Sequence, residues 1–337
     1  MDAAQVLLVV MWVGVTLYAL LAGADFGGGI WDLLAGRSRA GMPQRRLIEH
    51  SIGPVWEANH VWLIFVIVVL WTGFPPVFAA VMSTLYIPLT LAALGIIARG
   101  AAFAFRKAST ELWQQRLFGA AFATSSVLTP FFLGAVAGAV ASGRVPPGLA
   151  AGDLLRSWLN PTSLLGGVLA VAVCAYLAAV YLCDDAVRAG SPELAGRFRH
   201  RALATGLVVG AVALGGISVI RWDAPRLFDG LTHRALALVV AGAVLGLLSL
   251  VLLWRRHYLS VRVTAALAVA AVVWGWPLAQ YPVMLHPSLT VDEAAAVPAV
   301  LHATLLVLAV GALLVLPSMA WLFVLQRRSL HDPGAHG

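Results

Sequence analysis

Few side chains in this sequence could do chemistry, and the most conspicuous of them sit where lipid-facing residues would be expected. Glu57, Asn59 and His60 fall within four positions of the segment GPVWEANHVWLI (53–64), which is otherwise largely apolar. Asp25 and Arg99 stand in two further apolar stretches. An ionisable group inside a membrane helix is costly, and it usually faces the bundle interior, a partner or water. Two carboxylates and one guanidinium can serve in three ways. Arg99 can neutralise a carboxylate and pin helices together. A carboxylate that Arg99 leaves uncompensated in a desolvated site can take up and release protons near neutral pH. The cluster can also bind a ligand. Trp56 and Trp62 flank it, either as packing or as the lining of a path for a small apolar molecule.

Metal chemistry finds less support. His60 and His302 are the two histidines clearly inside apolar runs, and the depths expected for them differ, which disfavours one iron held by both. No HExxH or comparable ligand spacing occurs. Cys174 and Cys183 share one run. Nine residues of helix put them on opposite faces, about 13.5 Å apart along the axis, so they read as small apolar filler.

These residues must be positioned by membrane helices. Of 337 residues, 61% are hydrophobic and 11% charged, with a mean hydropathy of +0.90. Soluble domains carry about 25% charged residues. Nine apolar runs are read at about 5–27, 52–73, 77–98, 117–141, 162–183, 202–220, 235–254, 261–280 and 299–325. The first could extend to Ala35, and Gly27, Gly28 and Gly29 are where its helix is expected to loosen or end. The chain opens Met1, Asp2, Ala3 with no basic segment before the first run, so that helix is expected to be retained. Trp71, Trp113, Trp158, Trp222, Trp254 and Trp321 fall near helix ends and read as an interfacial belt.

The net charge of +7 resides in short loops, which fits membrane orientation rather than nucleic-acid binding. Sixteen Lys and Arg residues fall on one side of the alternating loops and five on the other, with Arg99 completing the 22. The positive-inside rule then places the N-terminus outside and the C-terminus in the cytoplasm. On that topology Asp25, Glu57 and Arg99 lie at similar depth on the cytoplasmic side, with His60 one turn above Glu57. P-loop, dinucleotide-glycine and CxxC motifs are absent, which disfavours nucleotide-driven transport by this chain alone. The glycine pairs 134/138, 206/210 and 242/246 could let helices approach closely. A weak echo between Tyr18 to Asp25 and Tyr176 to Asp184 fits two parallel halves plus an extra helix.

Four stretches carry a resemblance: GADFGGGIWDLL (23–34), IGPVWEANHVWLI (52–64), LWTGFPPVF (70–78) and LYIPLTLAALGIIARGAAFAFR (85–106). Together they resemble subunit II of the cytochrome bd-type quinol oxidases across roughly the first hundred residues. Beyond them the likeness rests on helix count and on Thr129 and Pro130.

The resemblance implies an all-α polytopic membrane protein with nine transmembrane helices, arranged as two four-helix bundles plus one peripheral helix. The bundles would comprise 5–141 and 162–254 completed by 261–280, with 299–325 as the ninth helix. It implies a bacterial cytoplasmic membrane, a haem-bearing subunit I as partner, and in some members a small single-helix accessory subunit. Haem b, haem d and the quinol-oxidising loop would belong to subunit I, with none bound by this chain. Quinol would be oxidised by dioxygen, giving water with protons taken from the cytoplasm.

Carried over by position, Glu57 matches an acidic residue on the proton-uptake side, where many relatives have Asp. Trp62 matches a position associated with an oxygen path. Asp25 matches the acidic residue of the DFG stretch, with a proton or structural role; Arg99 would be the charge partner of one of the two carboxylates. Asn59 and His60, the latter in place of Gln in some relatives, would hydrogen-bond along the route. The length resembles the shorter, cyanide-insensitive type, and some members hold a structural quinone in this subunit. The residues alone leave other readings open: a proton-coupled secondary transporter with Glu57 and Asp25 as coupling sites, a purely structural scaffold subunit, and a haem-carrying subunit.

Overall fold

The structure is a computed structural model that describes residues 1–35, 41–108 and 111–329. Within these, side chains are described except at 52–58, 103, 106–108, 112, 115–116, 316, 319–320 and 322–329. The side chains of Trp56 and Glu57 therefore lie outside the described set. So do Arg37 and Arg39 and the side chains of Arg106, Lys107, Arg116, Arg327 and Arg328, on which part of the topology reading rests.

Helices dominate the chain. They run α1 (Ala3–Leu34), α2 (Met42–Gly73), α3 (Pro75–Thr84), α4 (Tyr86–Ala108), α5 (Leu112–Ala141), α6 (Pro161–Arg188), α7 (Pro192–Asp223), α8 (Pro225–His233), α9 (Leu236–Trp254) and α10 (Tyr258–Gln280). A small antiparallel hairpin of β1 (Val283–Leu285) and β2 (Leu289–Thr290) follows, then α11 (Val291–Ala294) and α12 (Pro298–Ser329). Local chemistry marks several starts. Asp2 caps α1 through Gln5 N at 2.8 Å, and Asn160 caps α6 through Ser163 N at 3.0 Å ahead of Pro161. Both are side-chain oxygens accepting an otherwise orphaned N–H. At about 1.5 Å per residue a 32-residue helix is about 48 Å long, so the longest helices outreach a hydrocarbon core of about 30 Å.

Among the described residues, seven helices are long and apolar enough to cross a membrane, or eight if α2 and α3 count as one bent span. Nine were expected. The difference involves α2, whose residues 52–58 have no described side chains, and the third apolar run, 77–98, which is divided between α3 and α4. Gly73 and Pro75 bracket Phe74, whose φ of −135° and ψ of 61° are not helical. Proline drives the residue before it out of the α region and itself suits the first helical position. The chain therefore turns by 119° into α3, and among the residues with described side chains the apolar part of α4 is Tyr86–Ala102. The same device recurs at Ala224, with φ −136° and ψ 63°, before Pro225 and the short α8.

Contacts between helices follow this repetition. Helix α1 packs on α2, α5 and α6, while α6 packs on α7, α10, α5 and α1; α4 lies against α5 as α9 lies against α10. Residues 174–186 of α6 are almost all buried and form the centre of the largest apolar cluster. By contrast α7, α9 and α12 expose long rows of Leu and Val, as lipid-facing helices do.

Two expectations are overturned. Helix α1 does not loosen at Gly27, Gly28 and Gly29 but continues unbroken to Leu34. These glycines serve close approach instead. A Cβ at Gly27 would collide with the carbonyl of Cys174 on α6, and one at Gly29 with the side chains of Ser126 and Arg99. Trp158 is not part of an interfacial belt: it is 7% exposed and packs edge-on to Phe132, with centroids 6.1 Å apart. Of the three glycine pairs, 134/138 is a helix contact, against the backbone of Gly166 and Ser163 on α6, whereas Gly210 and Gly246 face open space. Gly27→Ala should accordingly cost about 1–3 kcal/mol of stability, as overpacking does. Gly210→Ala should be neutral within about 0.5 kcal/mol. Thermal unfolding of the purified protein checks this, and equal melting temperatures for the two variants would refute the close-packing role.

Candidate functional site

Four helices bring polar groups to one buried point. Asp25 and Arg99 are both fully buried, and Arg99 Nη2 lies 2.5 Å from Asp25 Oδ1. The same Nη2 donates to the Asp25 carbonyl at 2.8 Å, so one guanidinium nitrogen holds both side chain and backbone of α1. From α2, Asn59 Nδ2 donates to Asp25 Oδ2 at 3.3 Å. From α5, the hydroxyl of Ser126 accepts from Arg99 Nη1 and donates to the carbonyl of Phe122 at 2.5 Å.

Local sequence explains why this is possible. The antiparallel α1–α2 hairpin sets Leu7 beside Gly73 and Gly14 beside Phe65, which brings Asp25 level with Asn59. Helix α4 enters Arg99 at the same level because α3 takes up the turn between α2 and α4. Gly29 then leaves room for the guanidinium and for Ser126. Phe122 and Phe26 close over the arginine, with its Cζ 4.2 Å and 5.1 Å from the ring centroids. Cation–π contact of this kind is worth more when water is excluded. Removing two charges from water costs several kcal/mol per ion, and the attraction recovers this only with good geometry and further hydrogen bonds. Ser126, the Asp25 carbonyl and Asn59 supply those bonds.

Some capacity is left over. Asn59 Oδ1, Arg99 Nε and the hydroxyl of Tyr18, two turns before Asp25, find no hydrogen-bond partner among the described residues. Tyr18 packs with Phe26, Ala22, Cys174 and Ile96. His60 is half-buried beside Asn59 on α2. Trp62 lies on the next turn, half-buried and edge-on to Phe65 at 5.6 Å. The geometry thus joins Asp25, Asn59 and Arg99 directly, with His60 and Trp62 on the adjoining turn of α2; the Glu57 side chain lies outside the described residues. Ser126, Phe122, Phe26 and Tyr18 were not anticipated. The doublet of Ser125 and Ser126 in an apolar run was the available signal, by the criterion that picks out Asn59. Among the described residues no group of three or more His, Cys, Asp and Glu side chains could hold a metal ion.

Breaking one partner of a buried ion pair leaves the other charge uncompensated, at about 3–5 kcal/mol. Asp25→Asn and Arg99→Gln should each destabilise the protein by that order. The double variant should lose clearly less than the sum. A double-mutant cycle on thermal stability reads this coupling, and simple additivity would show that the two charges do not depend on each other.

Comparison with known proteins gives this geometry a family. The profile of a family described as cytochrome bd terminal oxidase subunit II matches residues 3–326. The chain is 29% identical over 170 residues to the cytochrome bd ubiquinol oxidase subunit 2 of Bacillus subtilis (strain 168), covering 50% of this chain and 48% of that one. It is 30% identical over 190 residues to the cytochrome bd-I ubiquinol oxidase subunit 2 of Escherichia coli (strain K12), covering 53% and 48%. The matched region therefore spans about half the length of these relatives. A second Bacillus subtilis protein, named a putative cytochrome bd menaquinol oxidase subunit II, is 22% identical over 316 residues, 87% of each chain. In fold, the chain is similar to a chain of the bd oxidase from Geobacillus thermodenitrificans, with a TM-score of 0.76, 23% identity, and 98% of this chain and 100% of that one covered. With its profile running from the first turn of α1 into α12, the chain belongs to the cytochrome bd terminal oxidase subunit II family.

Proposed function

We propose that this multi-pass membrane protein is the haem-poor subunit of a bacterial terminal oxidase that oxidises quinol and reduces dioxygen to water. The observation that carries this reading is the family match over residues 3–326. On it, haem b, haem d and the quinol-oxidising site belong to a partner subunit I of similar helical build, in the bacterial cytoplasmic membrane. A small single-helix accessory subunit and a structural quinone in this chain belong to the same reading. The recurrence of the Phe74 and Ala224 breaks, and of the α1/α2/α5 contacts in α6/α7/α10, supports two four-helix halves with α12 as the peripheral helix. The N-terminus would lie outside and the C-terminus in the cytoplasm.

The chain's own contribution would be twofold: to hold the assembly together and to deliver protons. Because Arg99 commits both of its Nη groups to Asp25 and Ser126, the Asp25 charge is already balanced. Glu57, two residues before Asn59 on α2, is then the carboxylate with a proton to exchange. Asn59 and His60 would carry hydrogen bonds from it, and Asp25 with Arg99 would fix the electrostatic floor of the route. Trp62, with its ring against Phe65, would border an oxygen path towards the partner's haems.

Glu57→Gln tests the proton route. The variant should assemble with normal haem content in the complex, yet reduce oxygen about tenfold more slowly or worse, since positioned proton carriers contribute at least that much. The deficit should change with pH. Turnover equal to wild type from pH 6 to 8 would remove Glu57 from the route. Failure to assemble would instead assign Glu57 to helix pinning.

A further inference from the structure

A second polar locus lies far from Asp25, where α8, the C-terminal ends of α5 and α10, and the hairpin meet. It is a cavity of about 490 Å³ whose lining includes Arg226, Asp229, Arg234, Gln280 and His286. That volume lies within the ~300–1,000 Å³ typical of small-ligand sites. Its floor is tight: the backbone of Gly230 on α8 sits so close to Ala279 of α10 that a Cβ there would collide with it.

The polar groups are unequally satisfied. Gln280 is spent on its neighbours, accepting from Trp276 Nε1 and donating to the Met284 carbonyl, both at 2.8 Å. The one lining carboxylate, Asp229, is engaged by His233 Nδ1 at 3.1 Å. Arg234 gives Nη1 to the carbonyl of Tyr281 and has no other hydrogen bond among the described residues. Arg226 has neither hydrogen bond nor ion pair among them. Nearby, Arg144 is compensated by Asp223, at 2.6 Å and 3.0 Å. The lining therefore carries two guanidinium groups against a single carboxylate, an excess of positive charge. Exposed Tyr281, whose carbonyl Arg234 holds, adjoins it, as aromatic residues do at headgroup height.

We propose that this cavity binds a phosphate oxyanion, presented either by an anionic lipid headgroup or as free phosphate, with Arg226 and Arg234 as its charged ligands and His286 as a third donor. Guanidinium groups suit phosphate oxygens because their N–H donors match them in planar pairs. His286 adds a pH dependence. Burial and then the charge of Arg226 hold it below its ordinary value of 6.5, so it is neutral at pH 7 in the empty cavity. An anion between the two relieves that repulsion and raises the folded-state value. Binding then takes up a proton, and affinity should strengthen as pH falls from about 7.5 to about 5.5. The other charged groups lining the cavity are Arg234 and Asp229, the latter in contact with His233 of α8.

The test uses the full chain with whatever subunits copurify in mild detergent, stripped of loosely held lipid. One arm measures retention of phosphatidylglycerol against phosphatidylcholine by native mass spectrometry. The other measures inorganic phosphate by calorimetry. Arg226→Gln should weaken binding about tenfold or more, as loss of a charge-assisted bond does, while Arg226→Lys retains part of it. His286→Gln should flatten the pH dependence. Selective retention of phosphatidylglycerol without phosphate binding identifies the lipid as source, and phosphate binding alone identifies the soluble anion. Should Arg226→Gln fail to fold, Arg234→Gln and His286→Gln give the same reading. Binding of both probes unchanged in the soluble variants, or absent from wild type, overturns the proposal.

Discussion

A charge pair held entirely out of water, Asp25 with Arg99, is the constraint around which the first half of the molecule is arranged. Either charge left unpaired there would carry a desolvation cost of several kcal/mol. Their meeting therefore fixes the relative levels of α1 and α4, and the remaining hydrogen-bonding capacity draws in Asn59 from α2 and Ser126 from α5. Glycine at positions 27 and 29 follows from the same demand. The pair is reachable only if α1 comes close enough to α6 and to Arg99 that no Cβ fits between them.

The second half repeats the helix order and the proline-marked break but not the buried pair. At its centre the polar contact is neutral, Tyr176 to Ser249 at 2.5 Å. Its charges sit at a wetter margin, where Asp184 and Asp185 share Arg262, and Asp184 also meets Arg188. Similar helix breaks and helix contacts thus frame two different polar interiors. The basic cavity beside α8 extends the contrast, since its two guanidinium groups and single carboxylate lie on exposed residues.

Much of the first site was legible because lipid is an intolerant solvent. A carboxylate, an amide or a guanidinium in an apolar run stands out, so Asp25, Asn59 and Arg99 could be picked out without any coordinates. Ser126 and Tyr18 escaped notice because hydroxyls are cheap in helices, where Ser can return its hydrogen bond to a carbonyl one turn back, as Ser126 does to Phe122. Trp158 looked interfacial for a similar reason: its position near a helix start does not say that Phe132 will cover it.

By itself the sequence determined that the chain is a bundle of membrane helices, where its apolar runs lie, and which few polar residues had to be satisfied inside it. Hydropathy and single-residue transfer costs are local properties, and they need no knowledge of neighbours. Only the tertiary structure decided that Gly27 and Gly29 continue a helix instead of ending it, that the run 77–98 divides into two helices, the first at a sharp angle to α2, and that Arg99 answers Asp25. It also gathered Arg226, Arg234 and His286 around one cavity. Each of these depends on which surface another helix presents at a given height, and residues separated by tens of positions carry no local pattern that specifies it.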